Sequence, residues 1–225
     1  MKMPLAVFAL AALFLAVPPA RGDQASAREA LAKDGIEVTQ EAFLRKVAEG
    51  DAAHVTLFLE AGIDPSVPNS VKRTALWIAV ERKQSEVVKA LLAGGVTPNE
   101  KNAPPMESNK TIVFEAVDTG DAALVRALVE AGADAKMVNE YGVPPLAEAA
   151  RTGNLQMCEI LLKAGADPNV APGGFPLIYG PVNEDHLDVV RLLVASGAKL
   201  GEHKAALIEA AKTPEMRALL EAAAD

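Results

Sequence analysis

Apolar positions along this chain recur at the three-and-four spacing of a single helix face. Val55, Phe58 and Leu59 form one set, Val88, Leu91 and Leu92 a second, and Val125, Leu128 and Val129 a third. Cys158, Leu161 and Leu162 make a fourth, and Val190, Leu193 and Val194 a fifth. With 3.6 residues per turn, each set lines one side of an α-helix. Gly62, Gly95, Gly132, Gly165 and Gly197 follow the five sets, where a left-handed residue ends a helix at little cost. Pro65, Pro98 and Pro168 come three residues later and prevent a restart. Asp51, Asp121 and Asn154 stand directly after Gly50, Gly120 and Gly153, and an Asx oxygen there predicts an N-cap. Each of these helices is preceded by a shorter apolar cluster that predicts a first helix: Phe43-Leu44 to Val47, Leu76-Trp77 to Ala79-Val80, Val113-Phe114 to Ala116-Val117, and Leu146 to Ala149-Ala150.

The closing glycines are separated by 33, 37, 33 and 32 residues. Self-similarity at that period means a stacked array of helix pairs rather than one closed core. End units of such an array need caps. Ala27 to Lys33, followed by Asp34-Gly35, predicts an N-terminal covering helix, and Ala205 to Ala211 with Glu215 to Ala223, joined around Pro214, predict a compressed C-terminal cap. The 37-residue step places four extra residues between Asn99 and Lys110, around Pro104-Pro105. The unit opening at Phe175-Pro176-Leu177 reads as having one extra residue before Asp185-His186, with Pro181 inside its first helix. A proline there removes a donor and clashes with the preceding turn, so that helix is expected to be short or bent.

Two phrases carry a family resemblance: Thr74-Ala75-Leu76-Trp77-Ile78-Ala79-Val80, and Tyr141-Gly142-Val143-Pro144-Pro145-Leu146-Ala147-Glu148-Ala149-Ala150. Both resemble the Thr-Pro-Leu-His-x-Ala-Ala opening of the ankyrin repeat, and Leu161 to Asn169 is similar to its Leu-Leu-x-x-Gly-Ala-Asp-x-Asn ending. The resemblance covers roughly residues 38–225 and implies an all-α solenoid of stacked helix-turn-helix units with hairpin-like fingers between them. The units implied are 39–68, 69–105, 106–138, 139–171 and 172–203, after a capping helix and linker at 23–38 and before a capping repeat at 204–225. No unit keeps the family's histidine: Trp77, Phe114, Ala147 and Ile178 stand there or beside it. Trp77 is expected to pack between finger and helix, where its indole N–H would need a partner.

The resemblance also implies a binding surface of finger tips and first-helix positions on the concave side. Carried over residue by residue, the finger positions are Ser70, Val71, Arg73, Glu140, Tyr141 and Val143, and the helix positions are Glu81, Arg82, Asp118, Thr119, Arg151 and Thr152. Arg and Tyr are types enriched at interface hot spots. The function implied is a non-enzymatic scaffold that binds a protein partner as a monomer, without a cofactor or metal. A narrower form is a neutraliser or stabiliser of one exported enzyme or toxin. The rival is a hydrolase or metal-dependent enzyme built on a carboxylate cluster.

Composition bears on these readings. Half of the 225 residues are hydrophobic but only 4% are aromatic, which suits close helix stacking. The net charge of −8 disfavours nucleic acid, which calls for clustered Lys and Arg. His54, His186 and His203 stand far apart in the chain without metal-ligand spacing, and His186 reads as a surface or capping residue. No nucleophile elbow or phosphate loop is present. Cys158, the single cysteine, falls where other units carry valine and so reads as core rather than nucleophile.

At the N-terminus, Lys2 precedes Leu5 to Val17, a 13-residue run without a polar side chain, then Pro18-Pro19 and the small residues Ala20 and Gly22. This resembles a secretory signal over residues 1–22, cleaved after Gly22. The run is short for a membrane span of about 17–25 residues, so no stable insertion is expected after cleavage. Loss of Lys2 and Arg21 would take the 22 basic residues to 20 against 30 acidic, or −10. The expected location is the periplasm or the exterior of a bacterial cell.

Overall fold

The structure, a computed structural model, describes residues 21–99 and 110–223. The hydrophobic run of the expected signal and the body of the lengthened finger lie outside the described residues. A lone helix, α1 (Arg21–Lys33), precedes six helix pairs. These are α2 (Gln40–Glu49) with α3 (Ala52–Glu60), α4 (Ala75–Glu81) with α5 (Ser85–Ala93), and α6 (Ile112–Asp118) with α7 (Ala122–Glu130). Then come α8 (Pro145–Arg151) with α9 (Leu155–Lys163), α10 (Tyr179–Asn183) with α11 (Leu187–Ala195), and α12 (Lys204–Ala210) with α13 (Pro214–Ala222). Single 3₁₀ turns stand at Pro172–Gly174 and Gly201–His203. Among the described residues there is no β-strand element.

The helices form two layers. α2, α4, α6, α8, α10 and α12 stack in one, and α1, α3, α5, α7, α9, α11 and α13 in the other, so α1 occupies the place of a preceding unit's second helix. Arg28 ties it there, donating from Nε and Nη2 to the Ala61 carbonyl at 3.2 and 3.0 Å. The core runs unbroken between the layers. Phe43, Leu76, Val113, Leu146 and Ile178 fill one column from the first helices, and Val55, Val88, Val125, Cys158 and Val190 another from the second, all buried. Each large aliphatic or aromatic side chain so buried stabilises by about 1.5–3 kcal/mol. Nearest-neighbour burial of this kind is what holds a repeat array together.

Local chemistry sets the helix ends. The Oδ atoms of Asp51, Asp121 and Asn154 accept from His54, Ala123 and Met157 backbone N–H groups. Thr39, Thr74, Thr111 and Thr213 cap α2, α4, α6 and α13. The five closing glycines adopt φ between 86° and 91°.

Three local readings require correction. First, the register of the unit around α10 differs by one: Tyr179 takes the family's histidine position, and Ile178 stands directly before it. The bonds Asn154 N–H to Ala149 O and His186 N–H to Pro181 O are equivalent, which aligns Tyr179 with Ala147 and puts Ile178 in the buried leucine column. The first helix of this unit therefore has no extra residue. The irregularity lies in its finger, which the 3₁₀ turn at Pro172–Gly174 closes one residue early. Pro181 does leave α10 only 5 residues long, against 7 for α4, α6 and α8. Second, α1 begins at Arg21, earlier than Ala27. Third, His186 sits at the N-cap of α11 but makes no side-chain cap bond; its Nε2 reaches the Arg151 carbonyl of the preceding unit at 3.1 Å. Gln84 does the same at the equivalent place, donating from Nε2 to Ala48 O at 3.0 Å. Long residues at this position staple backward between units, whereas the short Asx residues cap their own helix.

Candidate interaction face

Two of the described fingers share one turn. Asn69 and Asn139 each accept two backbone N–H groups at Oδ1, from Val71 and Arg73 and from Tyr141 and Val143, at 2.9–3.1 Å. Lys72 and Gly142 then take φ of 60° and 71°. An Asx side chain that substitutes for backbone partners stabilises such a tip. The turn leaves Val71 64% and Tyr141 77% exposed. All the exposed large hydrophobics among the described residues lie in fingers: Val67, Val71, Val138, Tyr141 and Phe175.

Behind the tips, two units repeat a three-part arrangement at i, i+4 and i+8. Arg73 lies over the Trp77 ring at 5.9 Å and pairs with Glu81 at 2.8 Å. Lys110 lies over the Phe114 ring at 5.9 Å and pairs with Glu115 at 2.7 Å and Asp118 at 2.5 Å. A cation over a ring face is attracted by the ring quadrupole. Burial pulls the Lys110 ammonium down, but the bonds from Asp118 and Glu115 outweigh it and hold the group above the ordinary lysine value. Trp77 is 3% exposed, and its indole N–H has no partner among the described residues.

The candidate residues divide on inspection. Val71, Glu140, Tyr141, Ser70, Glu81, Arg82, Asp118 and Arg151 are exposed, and Arg73, Val143 and Thr119 are half-buried. Thr152 is exposed too, and the hydroxyls of Thr119 and Thr152 fold back on their own helices, donating to the carbonyls of Ala116 and of Glu148 and Ala149. Arg82 donates to Ala48 O at 3.3 Å. Arg151 pairs with Glu148 on its own helix. The sequence reading missed the cation–ring–acid arrangement, although its four-residue spacing is legible at Arg73, Trp77 and Glu81 and again at Lys110, Phe114 and Asp118.

A second cluster lies at the other end. The His54 ring bonds Asp51 Oδ2 through Nδ1 at 2.6 Å and Asp34 Oδ2 through Nε2 at 3.1 Å. The bonds to Asp51 and Asp34 raise its pKa above the ordinary 6.5, against a smaller opposing effect of burial. This joins the turn after α1 to the start of α3. Among the described residues no group of three His, Cys, Asp or Glu is placed to hold a metal ion. Cys158 is fully buried, and burial pushes its thiol up to about 12.

The comparisons with known proteins agree with this geometry. A model of ankyrin repeats matches three times, over residues 43–139, 94–172 and 113–204. The chain belongs to the ankyrin repeat family. Ankyrin repeats are protein–protein interaction modules, and the family and fold are typically non-enzymatic. An ankyrin repeat-containing protein of Treponema pallidum (strain Nichols) is 28% identical over 174 residues, 76% of this chain and 46% of that protein. The mouse B-cell lymphoma 3 protein homolog is 30% identical, over 65% of this chain and 33% of its own length. The rat cyclin-dependent kinase 4 inhibitor B is 37% identical over 83 residues, 36% of this chain and 63% of the inhibitor. This chain thus spans less than two thirds of each of these relatives. The crystal structure of the Bcl-3 ankyrin repeat domain shares the fold, with a TM-score of 0.68 at 24% identity, covering 88% of this chain and 91% of that one. The human ASB11 ankyrin repeat domain gives a TM-score of 0.64 over 80% and 81%. No described helix is long and apolar enough to cross a membrane.

Proposed function

We propose that this ankyrin repeat protein is a monomeric, non-enzymatic scaffold that acts after export and binds a protein through its fingers and first-helix layer. The observation that carries the reading is the placement of every exposed large hydrophobic among the described residues in a finger. Isolated surface apolar residues are ordinary, but a series confined to one edge of a stack marks a contact surface. Behind it stand Arg73, paired with Glu81, and Arg82, which donates to the Ala48 carbonyl. A preformed surface of this kind loses little entropy on docking. The kinase inhibitor among the relatives is named for blocking an enzyme; occlusion of an exported enzyme or toxin is the narrower form of the proposal.

The test uses the mature chain, from Asp23 on, as bait in a crosslinked bacterial envelope extract. A specific protein is expected with the wild type and is expected to be lost when Arg73, Arg82, Tyr141 and Arg151 are all changed to Ala in a chain whose circular dichroism is unchanged. Equal capture by both sinks the assignment of this face. The mass of the exported protein checks the other half: loss of residues 1–22 supports export by a cleaved signal, and an intact N-terminus refutes it.

A further inference from the structure

The cation–ring–acid arrangement is complete in the units of α4 and α6 and absent in the unit of α8. The equivalents of Arg73, Trp77 and Glu81 there are Val143, Ala147 and Arg151. In the next unit they are Phe175, Tyr179 and Asn183, with the Phe175 and Tyr179 rings 5.6 Å apart at 41°. The column therefore reads Leu44, Trp77, Phe114, Ala147, Tyr179, and Ala147 is the one place without a ring between two units that carry one. An open recess of about 420 Å³ lies at the gap, between Val143, Ala147 and Arg151 on one side and Phe175, Tyr179 and Gly180 on the other. Trp77 and Phe114 are buried in their own units, whereas Phe175 is 58% exposed. The recess is mainly apolar-walled and lies at the small end of ligand-sized pockets.

The recess itself is lined by one cation and one carboxylate, Arg151 and Glu148, and the excess of carboxylates stands on the helices around it. Arg151 pairs with Glu148 and also feels the carboxylates of Glu184 and Asp118. Lys110 already serves Glu115 and Asp118. Two cations thus face four carboxylates along this part of the first-helix layer.

We propose that this recess receives an aromatic side chain of the protein partner, flanked in the partner's sequence by Lys or Arg. The incoming ring takes the place left by Ala147 and packs edge or face against the Phe175–Tyr179 pair. The flanking cation takes the place left by Val143, over the ring and toward Glu148 and Glu184, as Arg73 and Lys110 do within the chain. The missing arrangement is completed in trans. This rests on the scaffold reading above and names the chemistry of the segment it binds.

The probes are three capped peptides carrying Lys-Trp-Lys, Glu-Trp-Glu and Lys-Ala-Lys, titrated into the full mature chain and followed by amide NMR shifts. Lys-Trp-Lys is expected to shift Ala147, Tyr179 and Gly180. The other two peptides are expected to bind at least about 10-fold more weakly, since one ring–cation anchor supplies most of the contact. Ala147→Trp, which fills the gap from within, abolishes the shifts. Phe175→Ala, on an exposed finger where folding is not at stake, weakens them several-fold. Equal binding of Lys-Trp-Lys and Glu-Trp-Glu, shifts centred elsewhere, or unchanged binding by Ala147→Trp and Phe175→Ala overturns the proposal. So does a concentration-dependent dimer in sedimentation that Ala147→Trp dissociates, since the occupant is then a second copy. A captured partner that binds Ala147→Trp normally but not the Arg73, Arg82, Tyr141, Arg151 variant removes the recess while leaving the scaffold; loss of neither removes both.

Discussion

Gly120 and Gly153 occupy the same place in successive units, between the first and second helices, with φ of 76° and 72°. An alanine at either forces an L-residue into the left-handed region at about 1–2 kcal/mol. The position accepts side chains, since Lys83 and Asp185 hold it at φ of 57° and 60°. The surroundings differ. A Cβ on Gly120 meets nothing within 4 Å, whereas one on Gly153 meets the His186 ring at 2.6 Å from both Cε1 and Nδ1. Real Cβ contacts are not that short, so the ring must move, and its 3.1 Å bond to Arg151 O goes with it. A hydrogen bond of this sort contributes about 0.5–1.5 kcal/mol. Gly153→Ala is therefore expected to cost about 1.5–3.5 kcal/mol and Gly120→Ala about 1–2, the backbone term alone. At roughly 2–4 °C per kcal/mol for a chain of this size, calorimetry or urea melts of both variants resolve the difference. In a His186→Ala background the excess at Gly153 is expected to vanish. Equal costs for the two glycines, or an excess that survives in that background, refutes the account of His186 as an interunit staple.

Three further outcomes follow from single side chains. Trp77→Phe, which removes a buried N–H without a described partner and installs the ring that Phe114 provides one unit on, is expected to change stability by less than about 1 kcal/mol, against about 3–5 for Trp77→Ala, measured by urea unfolding. Cys158, with its thiol pushed up to about 12, is expected to react with a disulfide reagent at pH 8 only as fast as the chain opens, and Cys158→Val, which matches Val55, Val88, Val125 and Val190, is expected to cost less than about 1.5 kcal/mol. His54 binds its proton more tightly folded than unfolded, so its contribution is whole below pH 6.5 and is lost as pH rises through the raised value. Asp51 is pushed upward by burial but pulled lower overall by the bonds from His54, so its share is lost at the acid end, as pH falls through its lowered value. The melting temperature of the wild type is expected to fall toward that of His54→Asn as pH rises above 6.5, with a solvent-screened amplitude of at most about 1 kcal/mol.

Much of the array was legible because its determinants are local. The 3.6 period of the second helices, the glycine stops and the Asx caps each act within one turn of chain, and Cys158 could be assigned to the core by register alone. The corrections came where two signals competed. Phe175-Pro176-Leu177 imitates the family's opening phrase, but a 3₁₀ turn at Pro172–Gly174 shortens the finger, and Ile178 rather than Leu177 takes the leucine place. His186 sits at a cap position, yet its ring is long enough to reach the preceding unit and does so.

The chain's sequence determined the helix pairs, their ends and the family, because propensity, periodicity and capping are short-range physics repeated five times over. The tertiary structure decided what lies between units: which residue staples which carbonyl, where a cation covers a ring, and where Ala147 leaves a ring's place open. Those features arise from side chains about 33 residues apart meeting across a stacking interface, and that meeting depends on the rise and rotation from one unit to the next.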